Sequence, residues 1–448
     1  MGKRNGKRAG LIFLMLLVGM VMFAGCKAEE PVGIKKAYIN DDGELVLVYT
    51  DGERDNLGNV VGEDGEDGKD GQDGSDGKDG TDGKDGEDGK DGLDGEKGAD
   101  GTVTVINGGS NIAEATSKGL QSAVSIVCSD ISSAGSGVIY KLDKETGSAF
   151  IITNHHVVYD ADKRTKNGIS QKILVYLYGS EMDGCEIPAE YVGGSMQYDI
   201  AVLYIKESER LKESCMVPAT IANSDKTVVG EAAIAIGNAK GAGTSACYGV
   251  VSVASEYLTM LAADNKTTVT YRVLRVDTAV NSGNSGGGLY NEAGELMGIV
   301  NAKIMDSTVE NIGYTIPSNV AVSVAENLID YCFGTELESV QRGMLGITVA
   351  SVDSKAVREE GTGNIYIYET VEVQEVLDGS LVKGLILPGD RLRSISSLGK
   401  TVSILRRHHV VDAMLDARIG DEISICLIRD GKEITVKVIM TEEHVTEY

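Results

Sequence analysis

Short apolar runs, most of them closed by glycine, asparagine or aspartate, recur through the middle of the chain. They span Gly137–Leu142, Ala149–Thr153, Lys172–Tyr178, Asp199–Lys206, Glu231–Ile236, Gly249–Ser255, Thr267–Val276 and Glu295–Ala302. Runs this short, bounded by turn residues, predict β-strands, and their even recurrence predicts a sandwich or barrels. One helix closes this region. Val320, Val324 and Leu328 repeat at four, with Ser318 as the expected N-cap.

The pattern changes over residues 340–440. A strand precedes Leu387-Pro388-Gly389-Asp390, a helix carries Val411, Met414 and Leu415, and two strands, Glu422–Arg429 and Glu433–Met440, turn at Asp430-Gly431. This predicts a separate α+β unit. Near the start, within residues 26–61, Lys36–Asn40 and Glu44–Tyr49 flank the turn Asp41-Asp42-Gly43. That hairpin is marginal alone.

Between these regions hydrophobic patterning disappears. From Gly62 to Gly101 every third residue is glycine. This G-X-Y period is what a collagen triple helix demands, because only glycine fits its axis. Proline is absent, and sixteen carboxylates against five lysines give the stretch a net charge of −11. The alternative is an extended, self-repelling linker. As a triple helix it would span about 100 Å.

Residues 1–25 read as an export signal. Lys3, Arg4, Lys7 and Arg8 precede an apolar run from Leu11 to Ala24, too short to span a bilayer comfortably. Phe23-Ala24-Gly25-Cys26 resembles the lipobox of bacterial lipoproteins, with Phe23 in place of the usual leucine. Cleavage before Cys26 and diacylation of its thiol would anchor the chain on the extracytoplasmic face of the membrane. A plain secretory signal and an uncleaved short anchor are the alternatives.

The net charge of −26 argues against nucleic-acid binding, which wants a basic patch. Six cysteines follow Cys26: Cys128, Cys185, Cys215, Cys247, Cys332 and Cys426. Export permits disulfides, but several of these lie in apolar runs, where buried thiols are the default. None forms C-x-x-C, so no metal site is expected, and no motif calls for a cofactor.

Three stretches carry candidate chemistry: Thr153-Asn154-His155-His156-Val157-Val158, Tyr198-Asp199-Ile200-Ala201-Val202-Leu203 and Asn281-Ser282-Gly283-Asn284-Ser285-Gly286-Gly287. Together they offer a base, an acid and a nucleophile. A serine hydroxyl needs an imidazole to take its proton, and the imidazole needs a carboxylate to fix its tautomer. The chain has five histidines, and three (His408, His409 and His444) lie in the second unit, where His408 and His409 are expected on the surface. That leaves His155 and His156 at the end of an apolar run. Asp160, Asp162 and Asp277 are other candidate acids, the first two in a polar loop. Asp199 opens a buried strand, where a carboxylate needs a partner.

The segment Gly283–Gly287 also fits the G-x-S-x-G elbow of α/β-hydrolases. That elbow needs a helix after the serine and the order Ser, acid, His. Here a hairpin turning at Asn291–Gly294 follows, and the His and Asp come first.

The three stretches resemble the T-N-x-H-V, D-[IL]-A-[VL] and G-N-S-G-G motifs of HtrA/Deg trypsin-like serine proteases, in that order. Ala134–Ile139, Ala235–Asn238, Val276–Val280 and Asn311–Pro317 extend the likeness over about residues 118–335. The resemblance implies His156 as base, Asp199 as its orienting acid and Ser285 as nucleophile. The N–H groups of Gly283 and Ser285 would form the oxyanion hole. A frame one residue earlier would make His155 the base. Asp277 matches a structural aspartate.

The fold implied is all-β: a chymotrypsin-like double β-barrel over 115–335, followed by a PDZ domain over 340–440 and preceded by the stalk 62–101. The PDZ likeness places Met344, Leu345, Gly346 and Ile347 in its carboxylate loop. By family position Asn301 and Ala302 line the primary pocket. No acid stands there, so cleavage after small or medium aliphatic residues is expected. The function implied is a surface-anchored serine endopeptidase, acting as a homotrimer on unfolded or damaged exported proteins and binding C-terminal peptides. A peptide-binding chaperone with a resting triad and a surface scaffold are the alternatives.

Overall fold

The computed structural model describes residues 34–40, 44–50, 52–59, 112–162, 165–301 and 312–448. The signal segment, Cys26, the glycine-repeat stretch and Ala302 lie outside the described residues. The chain divides into two compact units between Asp100 and Gly101.

In the first unit, β1 (Ile34–Ile39), β2 (Glu44–Tyr49) and β3 (Arg54–Asn59) form an antiparallel sheet in that order. The predicted hairpin is β1–β2. The third strand was not legible, because Arg-Asp-Asn-Leu-Gly-Asn reads locally as turn. Cross-strand bonds tie β3 in place: Asn56 Nδ2 donates to Glu44 (2.7 Å) and the Tyr49 hydroxyl to Asp55 (3.0 Å).

The second unit opens with α1 (Ile112–Leu120). Six strands then close a barrel: β4 (Ala123–Cys128), β5 (Ser133–Asp143), β6 (Ser148–Thr153), β7 (Ile173–Leu177), β8 (Ile187–Ser195) and β9 (Ile200–Ile205). Their order around it is β4-β5-β6-β9-β8-β7. Short helices α2 (His155–Val158) and α3 (Glu209–Glu213) follow β6 and β9.

A second barrel repeats the same permutation as β10-β11-β12-β15-β14-β13. Its strands are β10 (Ala232–Gly237), β11 (Ser245–Leu261), β12 (Thr268–Val276), β13 (Gly288–Tyr290), β14 (Leu296–Val300) and β15 (Gly313–Pro317). Closure leaves neither barrel an open edge. Strands β4, β8 and β15 were missed by patterning, while β13 is the first arm of the hairpin expected after Ser285. β8 carries Pro188, Gly193 and Gly194, which break its alternation.

The register of one strand pair positions the chemistry. β6 pairs antiparallel with β9 so that Thr153 faces Ala201. The residues just after β6 and just before β9 are thereby neighbours, although more than forty positions apart in sequence.

Helix α4 (Ser318–Cys332) lies across β8 and β9 of one barrel and β14 and β15 of the other. Val320, Val324 and Leu328 are buried, as their spacing predicts. Ser318 is not the cap. Pro317 takes that position, and the Ser318 hydroxyl donates to the Ala222 carbonyl at 2.7 Å.

The C-terminal part carries β16 (Gln341–Gly343), β17 (Ile347–Arg358), β18 (Ile365–Val376), β19 (Arg391–Ser397), β20 (Lys400–Ser403), α5 (His408–Leu415), β21 (Glu422–Arg429), β22 (Lys432–Ile439) and β23 (Val445–Glu447). A six-stranded sheet runs β17-β18-β19-β21-β22, with β17 at its edge and β20 pairing with β19 off this path. β23 returns to pair with β16, so the unit extends past the expected boundary at 440.

The expectation for His408 and His409 is overturned. Both are buried, at 4% and 6% exposure, because α5 packs against the second barrel. There Arg272 of β12 bonds Asp225 at 2.8 Å and faces Asp412 of α5 at 3.2 Å, and His409 Nε2 stands 3.7 Å from Asp225. Asp225, His408 and His409 bring donor atoms within 4.8 Å of one another. This cluster does not suit a cation. The Arg272 guanidinium already occupies Asp225. His409 Nδ1 accepts from the Leu405 and Arg406 amides (3.1 Å each), which puts the ring proton on Nε2, the atom a metal would need. The six cysteines of this unit are all free. Cys128 and Cys332 are buried as expected, whereas Cys215 is exposed.

Candidate active site

His156 stands in α2, directly after β6, and Asp199 directly before β9. His156 Nδ1 lies 2.7 Å from Asp199 Oδ2, and Nε2 lies 2.9 Å from Ser285 Oγ. The structure therefore brings together the three residues that the motifs single out. Ser285 comes from the second barrel, so the constellation sits between the barrels.

Asp199 is held by its backbone as well as its charge. Its φ is +50°, a left-handed conformation that a short polar side chain tolerates. Its carbonyl accepts from Asn154 Nδ2 at 2.8 Å and from His155 N–H at 3.2 Å. Its carboxylate accepts the His156 N–H on Oδ1 at 2.9 Å, and Asn301 Nδ2 on Oδ2 at 2.8 Å. Burial alone would raise the carboxyl pKa. The His156 ring, the backbone N–H and the nearby His155 outweigh it and hold the group below its usual range.

The nucleophile loop is stitched to the first barrel by Ser136. Its hydroxyl donates to the Gly283 carbonyl at 2.7 Å, and its N–H donates to the Ser285 carbonyl at 2.8 Å. Thr153 in turn donates to the Ser136 carbonyl at 2.7 Å. Gly283 and Gly286 have φ of +98° and +84°. At Gly286 a Cβ would also run into the Ser136 carbonyl and the Thr153 hydroxyl, so both conformation and space demand glycine. Past the loop come β13, the turn Asn291–Gly294 and β14, not a helix. Ser136 was within the family match, but nothing in its local sequence marks it as the tie between barrels.

His155 is not placed to act as base. It is 4% exposed, its ring stacks on Tyr159 at 5.1 Å, and Ser285 is reached by its neighbour instead. Burial, partly opposed by the Asp199 charge, lowers its pKa from 6.5 to about 4. The unfolded chain therefore binds this proton more readily than the folded one. Full stability holds above about pH 6.5, and about 3 kcal/mol is lost as pH falls toward 4. Denaturant midpoints measured across that window should fall with pH, and His155→Gln should flatten the slope.

The other expected residues are placed as follows. Asn301, assigned to the primary pocket, is 1% exposed and turns its amide to Asp199 and to the Tyr271 hydroxyl (2.9 Å). Its side chain supports the acid rather than forming a pocket wall. Asp277 accepts the Val250 N–H at 2.6 Å, a structural role. Asp160 accepts from Asp162 N–H in an exposed turn. In the 344–347 loop, Met344 N–H donates to the His444 carbonyl at 2.7 Å, so this amide is already engaged. Gly346 has φ of +71° and Leu345 is buried, its carbonyl accepting from Ser380. Ile347 begins edge strand β17. A cavity of about 600 Å³ lies elsewhere, between the second barrel and the C-terminal unit.

Residues 135–299 match the trypsin-like peptidase domain, and residues 51–104 match the collagen triple helix repeat. The serine protease Do-like HtrA of Lactococcus lactis subsp. cremoris is 30% identical over 353 residues, covering 75% of this chain and 75% of that protein. The chain belongs to the HtrA family of serine proteases. It is a serine-type endopeptidase by that membership. The serine protease Do-like HtrA of Bacillus subtilis is 32% identical over 324 residues, or 70% of this chain, which spans 64% of that protein's length. The Escherichia coli periplasmic pH-dependent serine endoprotease DegQ is 33% identical over 314 residues, covering 68% of this chain and 59% of DegQ. Among solved structures, the HtrA-type protease AlgW with a tripeptide is 26% identical, covering 75% of this chain and 97% of that one, with a TM-score of 0.47. Among the described residues no helix of this HtrA chain is long and apolar enough to cross a membrane.

Proposed function

We propose that this HtrA protein cleaves unfolded or damaged exported polypeptides through an acyl-enzyme. The observation that carries the reading is the Asp199–His156–Ser285 chain of short contacts, 2.7 and 2.9 Å, between the two barrels. Ser285 Oγ bonds to the scissile carbonyl carbon as its proton passes to His156 Nε2. The carbonyl oxygen becomes an oxyanion held by the N–H groups of Gly283 and Ser285. His156 returns the proton to the leaving amine as the C–N bond breaks. Water then repeats the steps on the acyl-enzyme, releasing the new carboxyl end and restoring Ser285. Asp199 holds the His156 tautomer and offsets its positive charge.

The C-terminal unit reads as a PDZ domain. A C-terminal peptide would add to edge strand β17, its carboxylate capped by the amides of Leu345, Gly346 and Ile347. Met344 drops out of that set, its N–H being bonded within the fold. With Asn301 turned to Asp199, Ala302 is the pocket position that remains by family likeness, and the absence of an acid there supports cleavage after small or medium aliphatic residues. Lipidation at Cys26 would hold the protein on the extracytoplasmic face of the cell membrane. The relatives' description as periplasmic supports export, and the collagen-like repeat supports a stalk joining three chains.

The test is digestion of unfolded casein beside a tightly folded protein of similar size, with the products mapped. Cleavage of casein alone, after small or medium aliphatic residues, is the expected result. Binding of casein without cleavage would favour the chaperone reading.

A further inference from the structure

Behind the acid lies a buried polar chain. Tyr271 projects from β12 and is 4% exposed. Its hydroxyl accepts from Asn301 Nδ2 at 2.9 Å and donates to Met260 Sδ at 3.0 Å. Asn301 Nδ2 has two hydrogens, and the other goes to Asp199 Oδ2 at 2.8 Å. That oxygen is the one that His156 Nδ1 meets at 2.7 Å.

We infer that Tyr271 is a positioning residue for catalysis, acting on Asp199 through Asn301. An amide can present either its oxygen or its nitrogen, and only the nitrogen can donate to a carboxylate. The negative charge of Asp199 favours that orientation. The Tyr271 hydroxyl completes it by accepting the second hydrogen, while Met260 takes the hydroxyl's own proton. Burial and the Asp199 charge push the Tyr271 pKa above its ordinary value, so the phenol stays neutral. Without the hydroxyl, one amide hydrogen loses its acceptor in a dry site, which is costly. The amide then has reason to rotate, and Asp199 Oδ2 loses a fixed donor. The carboxylate plane and the His156 ring lose alignment together.

Tyr271 lies behind the acid, on the far side of Asn301 from His156 and Ser285. Its loss should therefore lower kcat and leave KM close to wild type. This inference rests on the triad reading above. Its test is a double-mutant cycle on the full chain with Tyr271→Phe, Asn301→Ala and the pair. The readouts are kcat, KM, the rate of Ser285 labelling by a serine-directed phosphonate, and the low-field proton resonance of the His156–Asp199 bond. Tyr271→Phe should lower kcat and the labelling rate about 10-fold and shift the resonance. In the Asn301→Ala background the same change should have almost no further effect on kcat. Wild-type kcat with an unmoved resonance in Tyr271→Phe would overturn the inference. So would an undiminished effect of Tyr271→Phe once Asn301 is gone, since Tyr271 would then act only on packing. Wild-type labelling at Ser285 is the separate check on the triad itself.

Discussion

Ser285→Ala is expected to lower kcat on unfolded casein by a factor on the order of 10⁶ and leave the fold and casein binding intact. In the proposed mechanism the serine Oγ becomes bonded to substrate, so its loss removes the acyl-enzyme route entirely. Removing His156 alone should cost about as much, because the three groups act as one unit and their effects do not add. The loop around Ser285 is fixed by the two Ser136 bonds, by Gly283 and by Gly286, none of which involves the hydroxyl. The thermal midpoint should accordingly stay within a few degrees of wild type, as melting and binding assays on the same preparation would show. Turnover within tenfold of wild type would remove Ser285 from the mechanism.

The second large effect is on stability. Arg272→Ala should destabilise the chain by about 3–5 kcal/mol, because it strips the counter-ion from two carboxylates at a buried interface. Arg272 is 5% exposed and lies 2.8 Å from Asp225 and 3.2 Å from Asp412. Burial raises the Asp412 pKa, and Arg272 opposes that rise. Asp225 is pulled the other way: His409 and Arg272 outweigh its burial and hold it far below the usual carboxylate range. With the guanidinium gone the two carboxylates face each other across the junction of β12 and α5. Arg272→Ala with Asp412→Asn should recover part of the loss. Arg272→Lys should recover little, since one ammonium does not reproduce the planar fork. Denaturant titration measures all three, and a loss under about 1 kcal/mol in Arg272→Ala would show that the junction is not held by this network.

How far the sequence could be read depended on whether a residue's partners were local. The meeting of His156, Asp199 and Ser285 was legible because nucleophilic chemistry restricts which side chains can serve, and five histidines left few candidates. The antiparallel pairing of β6 with β9 then explains why residues 156 and 199 meet. The α5 histidines were misread because their helix looks surface-facing by itself. Their burial is set by Asp225 and Arg272, more than 130 residues upstream. Asn301 went to the pocket by family position, and only its contact with Asp199 places it behind the acid. β3 and β8 escaped notice for another reason. Their polar, glycine and proline positions break the alternation, and ladder bonds to neighbouring strands hold them nonetheless. Ser318 has the chemistry of a cap, but its hydroxyl is used on Ala222.

Ser285, activated by His156, is the proposed nucleophile. The most direct measurement treats the intact chain with a serine-directed phosphonate and locates the adduct by peptide mass spectrometry. One adduct per chain is expected, on Ser285, forming in step with loss of casein cleavage and absent from Ser285→Ala and His156→Ala. Full loss of activity with the adduct on another residue, or labelling of Ser285 that leaves casein cleavage intact, would contradict it.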